Sequence, residues 1–241
     1  MGGQYIEPMP LSMPHLPSLC AVCRRWSAGG LCGDCLQRFA DVAVRCVQCA
    51  LRLPAGPLRC GACLRRAGAP LDRMVAAVDY GFPWDGLITG FKFHQRLDLA
   101  ASLARVLHGA VRRHAELPAA DLVLPVPLSR ERLRERGFNQ AWELARRIAR
   151  WQRIKASPDV LLRIRDTGHQ LGLNESQRVH NLRGAFLVDP RHAPRVRGRC
   201  VALVDDVATS GATADEAART LRQAGAAQVQ LWVVARTPAP A

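Results

Sequence analysis

The sequence predicts an α/β domain, a mainly parallel sheet with helices on both faces, carrying a small cysteine-rich module at its N-terminus. Three observations predict it. From residue 71 onward, short apolar runs alternate with amphipathic helical patterns, as strands joined by crossover helices do. Before residue 64, eight of the nine cysteines fall in four Cys-x-x-Cys pairs. The apolar run Val201–Val204 stops at Asp205 and Asp206, directly before the small, hydroxyl-bearing stretch 209-TSGAT-213. A turn-forming stretch, 67-AGAP-70, marks the seam. The expected segments are a loose tail over 1–19, the cysteine module over 20–66 and the α/β domain over 71–241.

The module comes first in chain order. Its pairs read 20-CAVC-23, 32-CGDC-35, 46-CVQC-49 and 60-CGAC-63, with eight, ten and ten residues between them. Each pair is a knuckle that turns two sulfurs toward one metal, and two knuckles complete a tetrahedron. A redox Cys-x-x-Cys sits once on a thioredoxin-like unit, and four copies do not fit that chemistry. Cys20, Cys23, Cys32, Cys35, Cys46, Cys49, Cys60 and Cys63 are therefore expected to hold two structural Zn²⁺ ions as a double zinc ribbon. Pairing of consecutive knuckles is preferred to a cross-braced arrangement, which the spacing also allows. Structural zinc supplies folding energy that so small a module cannot draw from a core. The ribbons either dock on the main domain or present Arg24, Arg25, Arg45, Arg52 and Arg59 to nucleic acid; docking is the preferred reading.

In the main domain, Met74–Tyr80 reads as a strand, and 84–94 and 98–114 as helices. In the second helix Leu99, Leu103, Val106, Leu107 and Val111 recur at three- and four-residue spacing. Asp121–Val126 is a strand and Asn139–Trp151 a helix. Val160–Ile164, Ala185–Val188 and Cys200–Val204 are strands, Thr213–Ala224 a helix, and Val229–Ala235 the last strand. Ligands of such sheets bind outside the carboxyl ends of the strands. Cys200 is expected to be a buried strand residue.

That rule gives Asp205 and Asp206 their interest. Adjacent carboxylates repel unless something donates to them, and a ribose 2′,3′-diol offers one hydroxyl for each. The following turn supplies hydroxyls from Thr209, Ser210 and Thr213, close backbone approach at Gly211, and the N–H groups of a helix start, where a phosphate is held by amides and the helix dipole. A competing account needs no ligand: Thr213 and Glu216 have the spacing of a capping box.

Composition narrows the partners. The formal net charge is +14, and Lys92 and Lys155 are the only lysines. Such a balance favours polyanions, nucleic acid or phosphorylated small molecules, although an arginine-rich background accounts for it as well. No window approaches eighteen consecutive apolar residues, so no membrane span is expected. The first nineteen residues lack the basic start and apolar centre of a signal peptide, and the cytoplasm is the expected compartment.

The stretch 201-VALVDDVATSGAT-213 resembles the phosphoribosyl-pyrophosphate (PRPP) motif of type I phosphoribosyltransferases. Joined to N-terminal cysteine ribbons, and with 91-FKFHQRLDLA-100, 125-PVPLSRERLRERGFNQ-140 and 167-TGHQLGLNESQRVHNLRGAF-186, the chain resembles the ComF family over almost its whole length. Serine at 210 stands where that motif often has threonine, and keeps the hydroxyl.

The resemblance implies the type I phosphoribosyltransferase fold. It implies that Asp205 and Asp206 hold the ribose hydroxyls as the catalytic acids, and that Ala208, Thr209, Ser210, Gly211, Ala212 and Thr213 cradle the 5′-phosphate. It also implies a pyrophosphate loop at Leu128, Ser129 and Arg130, since Pro127 has no N–H to donate. Arg130, Arg132, Arg134 and Arg136 add positive charge there, unless they pair with Glu131 and Glu135 along a solvated helix. The polar stretch from Asp166 to Arg183 is expected to close over the reacting centre, with Arg178, Asn181 and Arg183 as contacts; anchoring of this loop to the sheet is the alternative. The implied reaction displaces pyrophosphate at C1 of PRPP, with Mg²⁺ bridging ribose and pyrophosphate oxygens, toward an unidentified acceptor. The implied context is DNA uptake in natural transformation, with single-stranded DNA and competence proteins as partners. In a non-catalytic version, PRPP is a regulatory or vestigial ligand of a DNA-binding competence factor.

Overall fold

The computed structural model describes residues 18–66, 68–114, 116, 118–165 and 182–239. The first ribbon holds the hairpin β1 (Ser18–Leu19) and β2 (Trp26–Ser27) and the short helix α1 (Gly33–Phe39); the second holds α2 (Gly61–Arg65). β1 thus begins inside the segment expected as a loose tail. Then follow β3 (Arg73–Asp79), α3 (Trp84–Phe93), α4 (Leu99–Arg113), β4 (Leu122–Pro125), α5 (Arg130–Arg136), α6 (Gln140–Gln152), β5 (Lys155–Ala156), β6 (Leu161–Arg163), β7 (Phe186–Val188), a 3-10 turn over Pro190–Arg195, β8 (Cys200–Ala208), α7 (Ala212–Gln223) and β9 (Gln228–Arg236).

Five strands form one sheet in the order β3-β9-β8-β4-β5, and each neighbouring pair is parallel. The expected strands at 160–164 and 185–188 form, but they pair with each other as the antiparallel hairpin β6–β7, outside this sheet. Runs of three residues carry no information about their partner. β5 and the 3-10 turn have no counterpart in the sequence reading.

Strand alternation splits the core in two. Ala202, Val204, Trp232 and Val234 pack with α3, α4 and α6 through Ile88, Phe91, Leu103, Leu107, Leu144 and Ile148. Val201, Leu203, Leu231 and Val233 pack with α7 through Ala217, Ala218 and Leu221. β8 and β9 are apolar on both faces, as central parallel strands are.

The ribbons wrap the β3 edge. The first contributes Cys20, Leu31 and Cys35 to the α3–α4 core, the second contributes Ala50 to the α7 core. Trp84 Nε1 donates to Phe39 O at 2.7 Å, and Ser102 Oγ to Gly29 O at 2.6 Å. Met74 N donates to Val47 O at 3.0 Å, which gives the outer side of an edge strand a partner.

Candidate functional site

The strand expected to end at Val204 continues through both acids to Ala208, with Asp205 opposite Val233 and Val207 opposite Ala235. Within a strand, neighbouring side chains leave on opposite faces, so the two carboxylates have different surroundings. Asp206 lies on the α3 side, where its Oδ1 pairs with Lys92 Nζ at 3.0 Å. Its side chain is 3% exposed, and Oδ2 is buried with no hydrogen-bond partner. Asp205 lies on the α7 side, and its Oδ1 accepts from Asp206 N at 2.9 Å. Burial, then the Asp206 charge, pushes the Asp205 carboxyl up to about 8, against the pull of Lys92. The pair therefore holds a proton that exposed carboxyls release well below neutrality, and it lacks donors for at least one buried oxygen.

Beyond Ala208 the chain turns over a small cavity of about 50 Å³, lined by Asp205, Ala208, Thr209, Gly211, Ala212 and Thr213 among others. Gly211 has φ 84, a left-handed conformation that suits glycine. It is the N-cap of α7, and no side chain caps it. The Thr213–Glu216 capping box does not form, because the helix starts at Ala212. Glu216 is buried, takes the Gly184 N–H on Oε1 at 2.7 Å and pairs with Arg219. Ser210 Oγ accepts from Ala212 N at 3.4 Å. The structure thus brings Asp205, Ala208, Thr209, Gly211, Ala212 and Thr213 together around one hollow, while Ser210 is not among its lining residues.

β4 lies beside β8, with Pro125 level with Val204 and Val126 N donating to Val204 O at 2.9 Å. Residues 127–129 therefore leave the sheet next to the acids. Ser129 is buried and caps α5 by accepting from Arg132 N at 3.3 Å; Leu128 is half-buried and Arg130 exposed. Among the described residues, no ion pair joins Arg130, Arg132, Arg134 or Arg136 to Glu131 or Glu135. Arg136 stacks over the Phe93 ring at 4.8 Å. Burial lowers its guanidinium, while Asp206 and Asp205 act on it in the opposite sense. Pro127, Leu128, Ser129 and Arg130 also line a cavity of about 640 Å³, shared with Leu161–Arg165.

Of the expected closing-loop contacts, Arg178 and Asn181 lie outside the described residues. Arg183 is exposed, and its carbonyl accepts from Arg165 Nη1 at 3.1 Å. Two residues that matter here were not singled out in the sequence. Lys92 had a signal: it is one of two lysines among 34 basic residues. Arg236 is buried at the end of β9; it donates from Nε to Cys49 O at 2.8 Å and from Nη1 to Ala208 O at 3.2 Å. Its signal was a charge ending an otherwise apolar strand.

The cysteines gather in two clusters, Cys20, Cys23, Cys32 and Cys35, and Cys46, Cys49, Cys60 and Cys63, with sulfurs within 4.8 Å of one another. Consecutive knuckles pair. Cys23 Sγ–Cys32 Sγ is 3.6 Å and Cys49 Sγ–Cys60 Sγ is 3.7 Å; a tetrahedral zinc with sulfurs at about 2.3 Å sets them about 3.8 Å apart. Burial raises the Cys20 and Cys46 thiols, but backbone N–H groups, including those of Cys32 and Cys60, outweigh it and bring them down to about 6 and about 7. The ribbon arginines are largely committed. Arg25 pairs with Asp34, Arg45 with Asp79, and Arg52 with Asp41 and Asp79. The module is docked on the main domain, and Arg24 and Arg59 stay exposed with no ion pair among the described residues.

No family model matches the chain. It is 36% identical over 233 residues to the DNA utilization protein YhgH of Escherichia coli K12, covering 93% of this chain and all of that one. It is 35% identical over 212 residues to Competence protein F of Haemophilus influenzae, covering 86% and 90%. The chain belongs to the ComF family. For a ComF-family chain, the two four-cysteine clusters fit the zinc ribbons, and the parallel sheet with helices on both faces is the expected main domain. Among solved structures, glutamine PRPP amidotransferase from B. subtilis is similar at 20% identity and TM-score 0.40, over 59% of this chain and 30% of that one. That likeness is loose.

Proposed function

We propose that the carboxyl end of β8 and β4 binds PRPP with Mg²⁺ and transfers its phosphoribosyl group to an acceptor, within a role in handling DNA. The observation that carries this is the pairing of two adjacent acids, one with a buried oxygen left without a donor, with a hollow, glycine-capped turn at a helix start. Asp206 Oδ2 is buried without a partner, and Asp205 faces the 208–213 hollow. A divalent cation or ribose hydroxyls would satisfy oxygens that the protein leaves unsatisfied, so the residues present fit both. The turn amides and the hydroxyls of Thr209, Ser210 and Thr213 would take the 5′-phosphate. The 128–130 loop, backed by Arg136, would take the pyrophosphate.

Transfer breaks the C1–O bond to pyrophosphate and forms a bond from the acceptor nucleophile to C1. The protein's own contribution is electrostatic: Asp205 and Asp206 face the positive charge that develops on the sugar, and the α5 arginines face the departing oxygens. Mg²⁺ would neutralise the pyrophosphate oxygens when bound. The eight thiolates would hold two Zn²⁺ as structural ions.

A second reading has one specific support: both relatives are named for DNA utilization or competence. In it, PRPP is a regulatory ligand of a DNA-binding factor. Calorimetry with PRPP and Mg²⁺ on the zinc-loaded protein tests the shared step; absence of heat sinks both the enzyme and the regulated factor. Release of pyrophosphate in the presence of candidate acceptors then separates turnover from binding.

A further inference from the structure

The charge of +14 needs a location, and in the ribbons Arg25, Arg45 and Arg52 are taken up by Asp34, Asp41 and Asp79. Cations gather instead at the amino end of the sheet. There a cavity of about 320 Å³ is lined by Arg153, Lys155, Arg195 and Arg199, with Asp121 the sole acid in its wall. That carboxylate is occupied: Oδ2 accepts from Cys200 N at 2.9 Å, and Oδ1 meets Arg199 at 3.5 Å. Among the described residues, no carboxylate pairs with Arg153, Lys155 or Arg195; Arg195 reaches only Ser157 Oγ, at 3.2 Å. The negative end of α6 accounts for Arg153, its C-cap residue. It does not account for Lys155, Arg195 and Arg199, which arrive from β5 and from the segment before β8.

We propose that this cavity is a binding site for the phosphodiester backbone of single-stranded DNA, at the end of the sheet opposite the PRPP site. The proposal rests on the DNA-handling half of the function argued above and gives it a surface. Four like charges gathered around one concavity with a single acid in its wall focus a positive potential that attracts a polyanion. The cavity wall contains no aromatic ring, so bases have nothing to stack on there. Recognition is through phosphates and independent of sequence. Leu122 in the wall is level with Val201, and four residues of strand, about 13 Å, separate Val201 from Asp205. DNA held here leaves the acids free.

The test is fluorescence anisotropy of labelled oligothymidylate against the zinc-loaded protein over a series of KCl concentrations. The variant is Lys155→Gln with Arg195→Gln, checked by thermal melting for an unchanged fold. Each lost phosphate contact should flatten the salt slope by about 0.7, so the double variant should bind at least about tenfold more weakly with a slope shallower by about 1.4. No binding by the wild type removes the DNA reading itself. Wild-type binding with an unaffected double variant removes only this surface. Loss of binding in Arg24→Gln with Arg59→Gln would return the DNA to the ribbons and overturn the proposal. So would a double variant that keeps DNA and loses affinity for phosphatidylglycerol vesicles.

Discussion

The two faces of the sheet are built alike and wired differently. Each has one ribbon and one acid. On the α3 face, the first ribbon meets α3 through Trp84 and Phe39, and the same helix carries Lys92 to Asp206. On the α7 face, the second ribbon reaches the 208–213 turn itself. Arg236 ties Cys49 O to Ala208 O, and Arg66 pairs with Asp215 in the first turn of α7. A ribbon here is less an appendage than a buttress, and the second stands closer to the proposed PRPP site.

The largest effect should come from the cysteines. Zinc binding contributes about 10–16 kcal/mol in isolated fingers, as much as the whole stability of a domain, about 5–15 kcal/mol. Cys20→Ser and Cys46→Ser should each lose one zinc per chain and expose their own ribbon to protease. Only Cys46→Ser should also weaken PRPP by tenfold or more, measured by calorimetry. Equal losses from both would erase the distinction between the faces.

On the α3 face, Lys92→Met leaves Asp206 buried without its counter-charge. Breaking such a pair costs about 3–5 kcal/mol; with Lys92 20% exposed, about 2–3 kcal/mol is expected. Thermal melting at neutral pH should show it.

The acids also set a pH dependence. Asp205 is raised to about 8, so between its ordinary value and that pH the folded chain holds a proton that the unfolded chain has released. The resulting stability is present in acid and is lost as pH rises toward 8. PRPP with Mg²⁺ requires the carboxylates ionised, so affinity should rise with pH by up to about tenfold per unit and level off above about 8. Asp205→Asn should flatten both trends. A flat profile in the wild type would mean that the α7-side acid is not engaged.

How much of this was legible depends on how local the cause is. The cysteine clusters were readable because metal geometry demands short, regular spacing, and consecutive knuckles are the nearest in chain. The 208–213 turn was readable because a glycine and hydroxyls before a helix have few other uses. The course of β8 through Asp205 and Asp206 was not, because two acids normally end a strand. What keeps them in one is Lys92, 114 positions away in chain terms (92 against 206), and no local pattern carries that. The capping box misled for the converse reason. Thr213 and Glu216 have the right spacing, but the helix is capped two residues earlier, at Gly211, and Gly184 claims the glutamate.

On the α7 face, Arg236→Ala removes three hydrogen bonds to backbone carbonyls, those of Cys49, Ala208 and Thr237. Hydrogen bonds from a charged group contribute about 1.5–3 kcal/mol, so a loss of about 2 kcal/mol is expected. More telling is the division of effects. PRPP affinity should fall by about tenfold, while zinc content stays at two per chain. An unchanged affinity would show that the second ribbon does not support the turn.

The smallest effect sharpens the contrast from the other side. Trp84 is 3% exposed, and its indole N–H donates to Phe39 O at 2.7 Å. Trp84→Phe keeps most of the apolar contact and removes one donor, so about 1 kcal/mol of stability should be lost. The first ribbon should become easier to cleave beside Phe39, which also sets its ring edge-on to Phe82 at 5.6 Å. PRPP affinity should not move, because no hydrogen bond runs from Trp84 to the 208–213 turn among the described residues. If it falls as far as in Arg236→Ala, the α3 face transmits to the ligand turn through Lys92 and Asp206, and the two buttresses act as one.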